Sequence, residues 1–382
     1  MSAAPTLRVP FCDLAREARA LGDAIPAAFA RVVARGWYVL GPEVAAFEAA
    51  FATWCGVRHA VGVASGTEAI QLALVALGVG PGDEVITAAN AGVPGPIAIR
   101  AAGATPVFAD VDEFTCCLDP ERVEAAIGPR TRAVLAVHLY GRLAPIEALS
   151  EVARRHGVAL VEDCAQAHGA ARAGVRAGAY GRCGCFSFYP TKNLGAAGDG
   201  GAVVTSDDVL AERLRSLRQY GWRAKYATEL SGGLNSRLDD VQAAVLATKL
   251  PLLAQWNARR QALAASYRCA LAGADLALPA PTEDGAHVHH LYVVRHPRRD
   301  ALREGLRALG IATDVHYPIP AHRQGVPLGR APAAGLPVTE RLAREVLSLP
   351  LYPFLSDGEL NEVAAAVHQV LAAGGRGRGE SA

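Results

Sequence analysis

The chain has 382 residues, 51% hydrophobic and 20% charged, with a formal net charge of +1. That length exceeds one ordinary core, so a large domain with a smaller companion is expected, and the near-neutral balance leaves no electrostatic footprint for nucleic acid or an acidic membrane surface. Met1 to Pro10 lack a charged-then-apolar pattern and no apolar run approaches the roughly 18 residues that span a bilayer, so a cytoplasmic protein without a membrane partner is expected.

From about residue 43 to 250, short β-branched runs alternate with helical stretches. Strands are expected over His59–Ala64, Glu84–Ala89, Pro106–Asp110, Ala133–His138, Val158–Asp163, Cys185–Tyr189 and Gly201–Thr205. Helical patterns lie between them, over Glu43–Cys55, Thr67–Leu77, Pro120–Ile127, Pro145–His156 and Val209–Tyr220. Such alternation predicts an α/β fold whose mostly parallel sheet is covered by helices on both faces. After Gly233 the pattern changes. Leu238–Lys249 and Leu252–Leu271 read as helices, and His289–Arg295, Leu302–Leu309, Val315–Tyr317, Thr339–Leu347 and Asp357–Leu371 make up a mixed region. The expected division is a large domain over 1–250, including an N-terminal arm, a small C-terminal α+β domain over 251–373, and a frayed tail over 374–382. Eight cysteines, at 12, 55, 116, 117, 164, 183, 185 and 269, form no CxxC pair and have no matching His spacing. Reduced thiols fit that pattern better than a disulfide framework or a zinc site, and no metal is expected.

In open parallel sheets ligands collect beyond the carboxyl ends of the strands, and the chemically distinctive residues of this chain follow predicted strands. Ser65-Gly66-Thr67-Glu68 opens a helix with the spacing of a capping box, and Gly66 lets an anion approach the free amides of the first turn. Asp163 ends an apolar strand and Gln166 follows three residues later; a carboxylate there can hold a pyridine nitrogen protonated. Lys192, in the run Cys185-Phe186-Ser187-Phe188-Tyr189-Pro190-Thr191-Lys192-Asn193-Leu194-Gly195, is one of three lysines in a chain whose Lys and Arg total 38. A primary amine can lose its proton and form a Schiff base with an aldehyde, which a guanidinium cannot do. Asn235-Ser236-Arg237 stands where the two regions join. Taken singly, each of these motifs also has an ordinary reading as a helix cap or a solvated charge.

In this order and at these separations, Gly66-Thr67, Asp163 with Gln166, Ser187 with Lys192, and Asn235-Ser236-Arg237 closely resemble the pyridoxal-phosphate sugar aminotransferases of the DegT/StrS group. The resemblance runs from Phe11-Cys12-Asp13-Leu14 and Gly36-Trp37-Tyr38 to His316-Tyr317-Pro318. It implies the type I fold of pyridoxal-phosphate enzymes, with Lys192 bonded to the cofactor aldehyde and then moving the proton of the transfer. It also implies that Asp163 pairs with the pyridine nitrogen, Gln166 bonds the 3-oxygen, and Gly66, Thr67 and Ser187 hold the 5′-phosphate. Asn235 would reach that phosphate from a second subunit, so a homodimer with shared active sites is expected.

The resemblance also implies ping-pong transfer from glutamate, or glutamine, to a keto group. The branch it suggests aminates nucleotide-linked deoxysugars at C3, with Tyr38, Tyr220, Lys225, Arg237, His316 and Tyr317 near the sugar or diphosphate. A 4-keto nucleotide sugar and a keto-cyclitol such as scyllo-inosose are the alternatives. Lys192 argues against a related dehydratase in which His replaces the lysine, and Gly78-Val79-Gly80-Pro81-Gly82 lacks the spacing and place of a nicotinamide-binding turn. Gly92 stands where relatives usually carry an aromatic ring against the cofactor, and His168 is the expected substitute cover.

Overall fold

A computed structural model describes residues 7–282 and 285–376. Seven strands form the central sheet: β1 (His59–Val63), β2 (Glu84–Ala88), β3 (Thr105–Ala109), β4 (Thr131–Val137), β5 (Ala159–Asp163), β6 (Cys183–Ser187) and β7 (Gly201–Thr205), in spatial order β1-β7-β6-β5-β4-β2-β3. Each lies within two residues of its expected position. Pairing is parallel throughout β6-β5-β4-β2-β3, whereas β7 runs antiparallel to both β6 and β1. Between β6 and β7 the chain carries the lysine loop instead of a crossover helix, so β7 returns antiparallel.

Alternate residues of the buried strands enter two apolar layers. Val61, Val85, Leu135, Val161 and Cys185 pack on one face beneath helices Gly66–Ala76 and Asp208–Leu217. Ile86, Val134 and Leu160 face the other way, toward helix Ile146–His156 and toward Leu263, Tyr292 and Val363 of the C-terminal half. Phe47, Phe51, Phe186 and Phe188 form a third cluster under β6, with Phe186 and Phe188 edge-on to Phe51 at ring separations of 5.0 and 5.3 Å. One continuous apolar cluster therefore joins the main sheet to the C-terminal half.

That half contains an antiparallel pair, β8 (Tyr292–Arg295) and β9 (Val346–Leu349), with helices Arg299–Ala308, Pro337–Glu345 and Asp357–Arg376. The stretch read as one segment, Thr339–Leu347, is a helix end running into a strand. Val315–Tyr317 contributes no regular element, although Asp314 forms an isolated bridge with Ser348. Helix Pro94–Ala101 was not expected from the sequence. Two N-terminal helices, Leu14–Leu21 and Ala24–Arg35, had no expected counterpart either. The arm ties to the opposite end of the chain: Val9 bridges Ile311, and Arg16 grips Glu359 through two bonds of 2.6 and 2.7 Å. The last helix extends to Arg376, so residues 374–376 of the expected tail are helical, while 377–382 lie outside the described residues. Among the described residues no helix is long and apolar enough to cross a membrane.

Candidate active site

The carboxyl ends of the parallel strands converge on one region. Asp163 is the last residue of β5 and Ser187 the last of β6, while Gly66 opens the helix after β1 and Gly92 lies in the loop after β2. Burial raises the Asp163 pKa, and the Ala165 amide, 3.0 Å from Oδ1, together with the charge of Lys192, opposes that rise. Burial pushes the Lys192 amine the other way, down to about 8, with Asp163 opposing. The two groups thus lie within electrostatic reach, and the lowered pKa raises the unprotonated share of the amine near neutrality to about a tenth, far above that of a free lysine, which favours attack on a carbonyl.

The lysine loop is held from both sides. Lys192 donates its backbone N–H to Tyr189 O at 2.8 Å, and Ala196 donates to Phe188 O at 2.8 Å. Asn193 then locks the loop to two distant segments: Nδ2 donates to Asn257 Oδ1 at 2.9 Å and to Val288 O at 3.2 Å, while Oδ1 lies 3.2 Å from His290 Nδ1. Because Oδ1 is an acceptor, the His290 nitrogen facing it carries the proton. Asn257 continues the chain, donating to His168 O at 2.7 Å. Sequence reasoning quoted Asn193 but missed His290 and Asn257, which lie 97 and 64 residues from it.

The helix end beside Ser187 offers an anion seat. Ser65 caps the helix, its hydroxyl accepting from Glu68 N at 3.2 Å, while Ala69 N takes Ser65 O. The amides of Gly66 and Thr67 are left at the helix end, where the dipole favours negative charge. The capping box is half made, since Glu68 Oε2 is buried without a partner. A Cβ on Gly66 would fall 2.6 Å from Ser187 Cβ, so the glycine is what allows Ser187 to close the seat.

Gln166 is fixed by its surroundings. Tyr140 donates its N–H to Oε1 at 2.6 Å, which turns Nε2 toward the Tyr317 hydroxyl at 3.2 Å. Tyr140, just past β4, holds a φ of 61°, and its hydroxyl bonds His316 O. Its place after a strand end was a signal the sequence reading did not use. His316 stacks on Phe11 at 5.8 Å and meets Ser348 Oγ at 2.9 Å; burial, then Lys192, lowers its pKa, against the pull of Asp314.

His168 does not take the place expected for it. It is wholly buried, 5.2 and 5.9 Å from the rings of Phe186 and Phe188, and burial holds its pKa down to about 3. The aromatic beside Gly92 is Tyr317. The remaining candidates make no contact with Lys192 among the described residues. Tyr38 is 48% exposed, Tyr220 packs on Trp222 at 5.0 Å, Lys225 Nζ lies 5.1 Å over Tyr226, and Asn235 is exposed beside the half-buried Arg237. Among the described residues, no hydrogen bond, ion pair or ring contact joins any of these to Lys192, Asp163 or Gln166.

A buried group with metal-like spacing, His138, Glu162 and Cys164, has another role. Glu162 accepts from the amides of Gly178, Tyr180 and Gly181 at 2.8, 2.8 and 2.7 Å and meets His138 Nε2 at 3.0 Å, while His138 Nδ1 accepts from Ala144 N at 3.0 Å. With those lone pairs engaged, the carboxylate braces the turn before β6.

A buried amine of lowered pKa, a carboxylate at a strand end, an amide aimed beside it and a helix-end anion seat on an open α/β sheet define a pyridoxal-phosphate-dependent aminotransferase. Residues 20–368 match the DegT/DnrJ/EryC1/StrS aminotransferase family, and the chain belongs to it. A dTDP-3-amino-3,4,6-trideoxy-alpha-D-glucose transaminase of Streptomyces venezuelae is 52% identical over 370 residues, spanning 96% of this chain and 97% of the relative. The crystal structure of S. venezuelae DesV in complex with a ketimine intermediate matches with a TM-score of 0.92 at 52% identity, covering 95% of this chain and 98% of that one. NtdA of Bacillus subtilis with bound cofactor PMP matches with a TM-score of 0.89 at 31% identity, over 97% and 87% of the two chains.

Proposed function

We propose that the protein moves the amino group of glutamate, or glutamine, to C3 of a nucleotide-linked keto-deoxysugar. Lys192, Asp163, Gln166, Gly66, Thr67 and Ser187 are the residues we assign to the cofactor, and their donor set fits it. Lys192 would bond the aldehyde, Asp163 would meet the ring nitrogen, Gln166 Nε2 would offer a donor to the ring oxygen, and the first-turn amides with Ser187 would take the phosphate. Bound there, pyridoxal phosphate supplies the electron sink that stabilises the carbanion next to the transferred nitrogen. The Lys192 amine would carry the proton between the two carbons, since its pKa of about 8 suits it to act as both base and acid. The donor leaves as its 2-oxo acid, and the keto sugar leaves as the amine.

The observation that carries the substrate reading is the 52% identity, over nearly the full length, to a transaminase named for a dTDP-linked 3-amino sugar. Charged and aromatic groups at Tyr38, Tyr220, Lys225, Arg237 and His316 supply the donors a diphosphate sugar needs. We also place the enzyme in the cytoplasm, in deoxyaminosugar and antibiotic biosynthesis, as a homodimer with shared sites. The exposure of Asn235 supports a role toward a partner's phosphate seat. The test offers glutamate and glutamine separately with a 3-keto nucleotide sugar, its 4-keto isomer and free scyllo-inosose, and measures amine product by mass. Preference for the cyclitol overturns the nucleotide-sugar assignment; preference for the 4-keto isomer overturns the regiochemistry.

A further inference from the structure

Gly92 and Tyr317 form a complementary pair across the site. A Cβ built on Gly92 would stand 3.3 Å from Tyr317 Cε1 and Cζ, tighter than ordinary carbon contacts, and Gly92 has a φ of +77°, which side chains rarely adopt. The missing side chain at 92 is therefore filled space: the phenol ring of Tyr317, reaching in from the C-terminal half, occupies it. At its far end the hydroxyl meets Gln166 Nε2 at 3.2 Å, so the ring runs from the loop after β2 to the loop after β5.

The anchoring of this ring is extensive. Tyr140 bonds the carbonyl of His316, and His316 is pinned by Ser348 and by its stack on Phe11. Burial, then the charge of Asp163, pushes the Tyr317 hydroxyl up to about 12, so it stays a neutral phenol. A hydroxyl that accepts from Gln166 keeps its own proton to donate. Of the atoms nearest a Cβ at Gly92, the aromatic ones belong to Tyr317, and His168 is committed to the core under β6.

We propose that Tyr317 covers one face of the pyridoxal ring, with Gly92 retained to make room for it, and that its hydroxyl shares with Gln166 the task of holding the ring's edge. This rests on the cofactor assignment made above. It makes Tyr317 a cofactor-positioning aromatic supplied by the C-terminal half, in place of the sugar-side role first expected for it. The cofactor is then clamped between two separate stretches of chain.

The test reconstitutes full-length wild type, Tyr317→Phe and Tyr317→Leu with pyridoxal phosphate, then follows cofactor release on dilution and circular dichroism in the cofactor's visible band. An aromatic contact of this kind corresponds to roughly a two- to tenfold change in affinity. Tyr317→Leu is expected to lose the cofactor faster by that factor with weakened visible dichroism, whereas Tyr317→Phe keeps most of its retention. If Tyr317→Leu folds with wild-type far-ultraviolet dichroism and holds the cofactor as tightly as wild type, the proposal is overturned. Should Tyr317→Leu not fold, Tyr317→Trp decides: an altered visible dichroism supports the contact, and an unchanged band removes it. A wild type that gains no visible band, or the same band as Lys192→Ala, would instead remove the cofactor assignment itself, and this inference with it.

Discussion

Replacing Lys192 with methionine should stabilise the cofactor-free protein at neutral pH, even as it abolishes activity. Burial lowers the amine from 10.5 to about 8 in the fold, a value that already contains the attraction of Asp163. Each unit is about 1.4 kcal/mol, so holding the amine charged in the folded chain costs about 3 kcal/mol, and residual solvation of the side chain brings the expected gain to about 1–3 kcal/mol. The pH dependence has a definite sign. Below about pH 8 the amine is charged in both folded and unfolded chains, and the full penalty is present. From there to the unfolded value of 10.5 the unfolded chain binds more protons, so the wild type gains on the variant as pH rises, and above it the difference closes. Urea unfolding of cofactor-free wild type and Lys192→Met, followed by tryptophan fluorescence at pH 7 and pH 10, measures this directly. A variant less stable than wild type at pH 7, or a stability difference that ignores pH, would refute the reasoning.

Mixing inactive Lys192→Ala subunits with inactive Asn235→Ala subunits should restore part of the activity through hybrid sites; heterodimers shown by mass to form yet remaining inactive would mean that Asn235 does not serve a partner. Gly66→Ala places a Cβ 2.6 Å from Ser187 Cβ and should weaken cofactor binding about tenfold, the worth of one charge-assisted hydrogen bond, with helix content unchanged. Unaltered affinity in that variant would put the phosphate elsewhere. Glu162→Ala strands three buried amides and the His138 ring, and should cost about 3–5 kcal/mol in chemical denaturation; a loss below about 1 kcal/mol would show that water replaces the carboxylate.

The strands were legible because β-branched runs with turn signals behave locally, and the rule that ligands gather past strand ends then singled out Asp163, Ser187 and Gly66. Helix Pro94–Ala101 was hidden by its own composition. Pro94, Gly95 and Pro96 read as a loop, yet all three lie in the first turn, where a missing N–H forfeits no intrahelical bond. His168 misled for a different reason. Its loop position after Asp163 suggested the cofactor face, but which way a side chain points depends on the neighbouring strand, and Phe186 and Phe188 offered it an apolar slot. The contacts of Gln166 with Tyr317 and of Asn193 with His290 join residues 151 and 97 apart, and no local periodicity encodes such meetings.

The Asn193 knot has a consequence for how the enzyme comes into being. Lys192 leaves the ribosome well ahead of His290, and at about 5–20 residues per second the intervening stretch takes roughly 5–20 s to synthesise. During that interval the loop lacks its bonds to Val288 and His290, and for the first part of it the bond to Asn257 as well. The burial that lowers the amine's pKa is incomplete until the C-terminal half docks. The lowered amine pKa, and the larger share of free amine it gives, is thus a property of the completed fold.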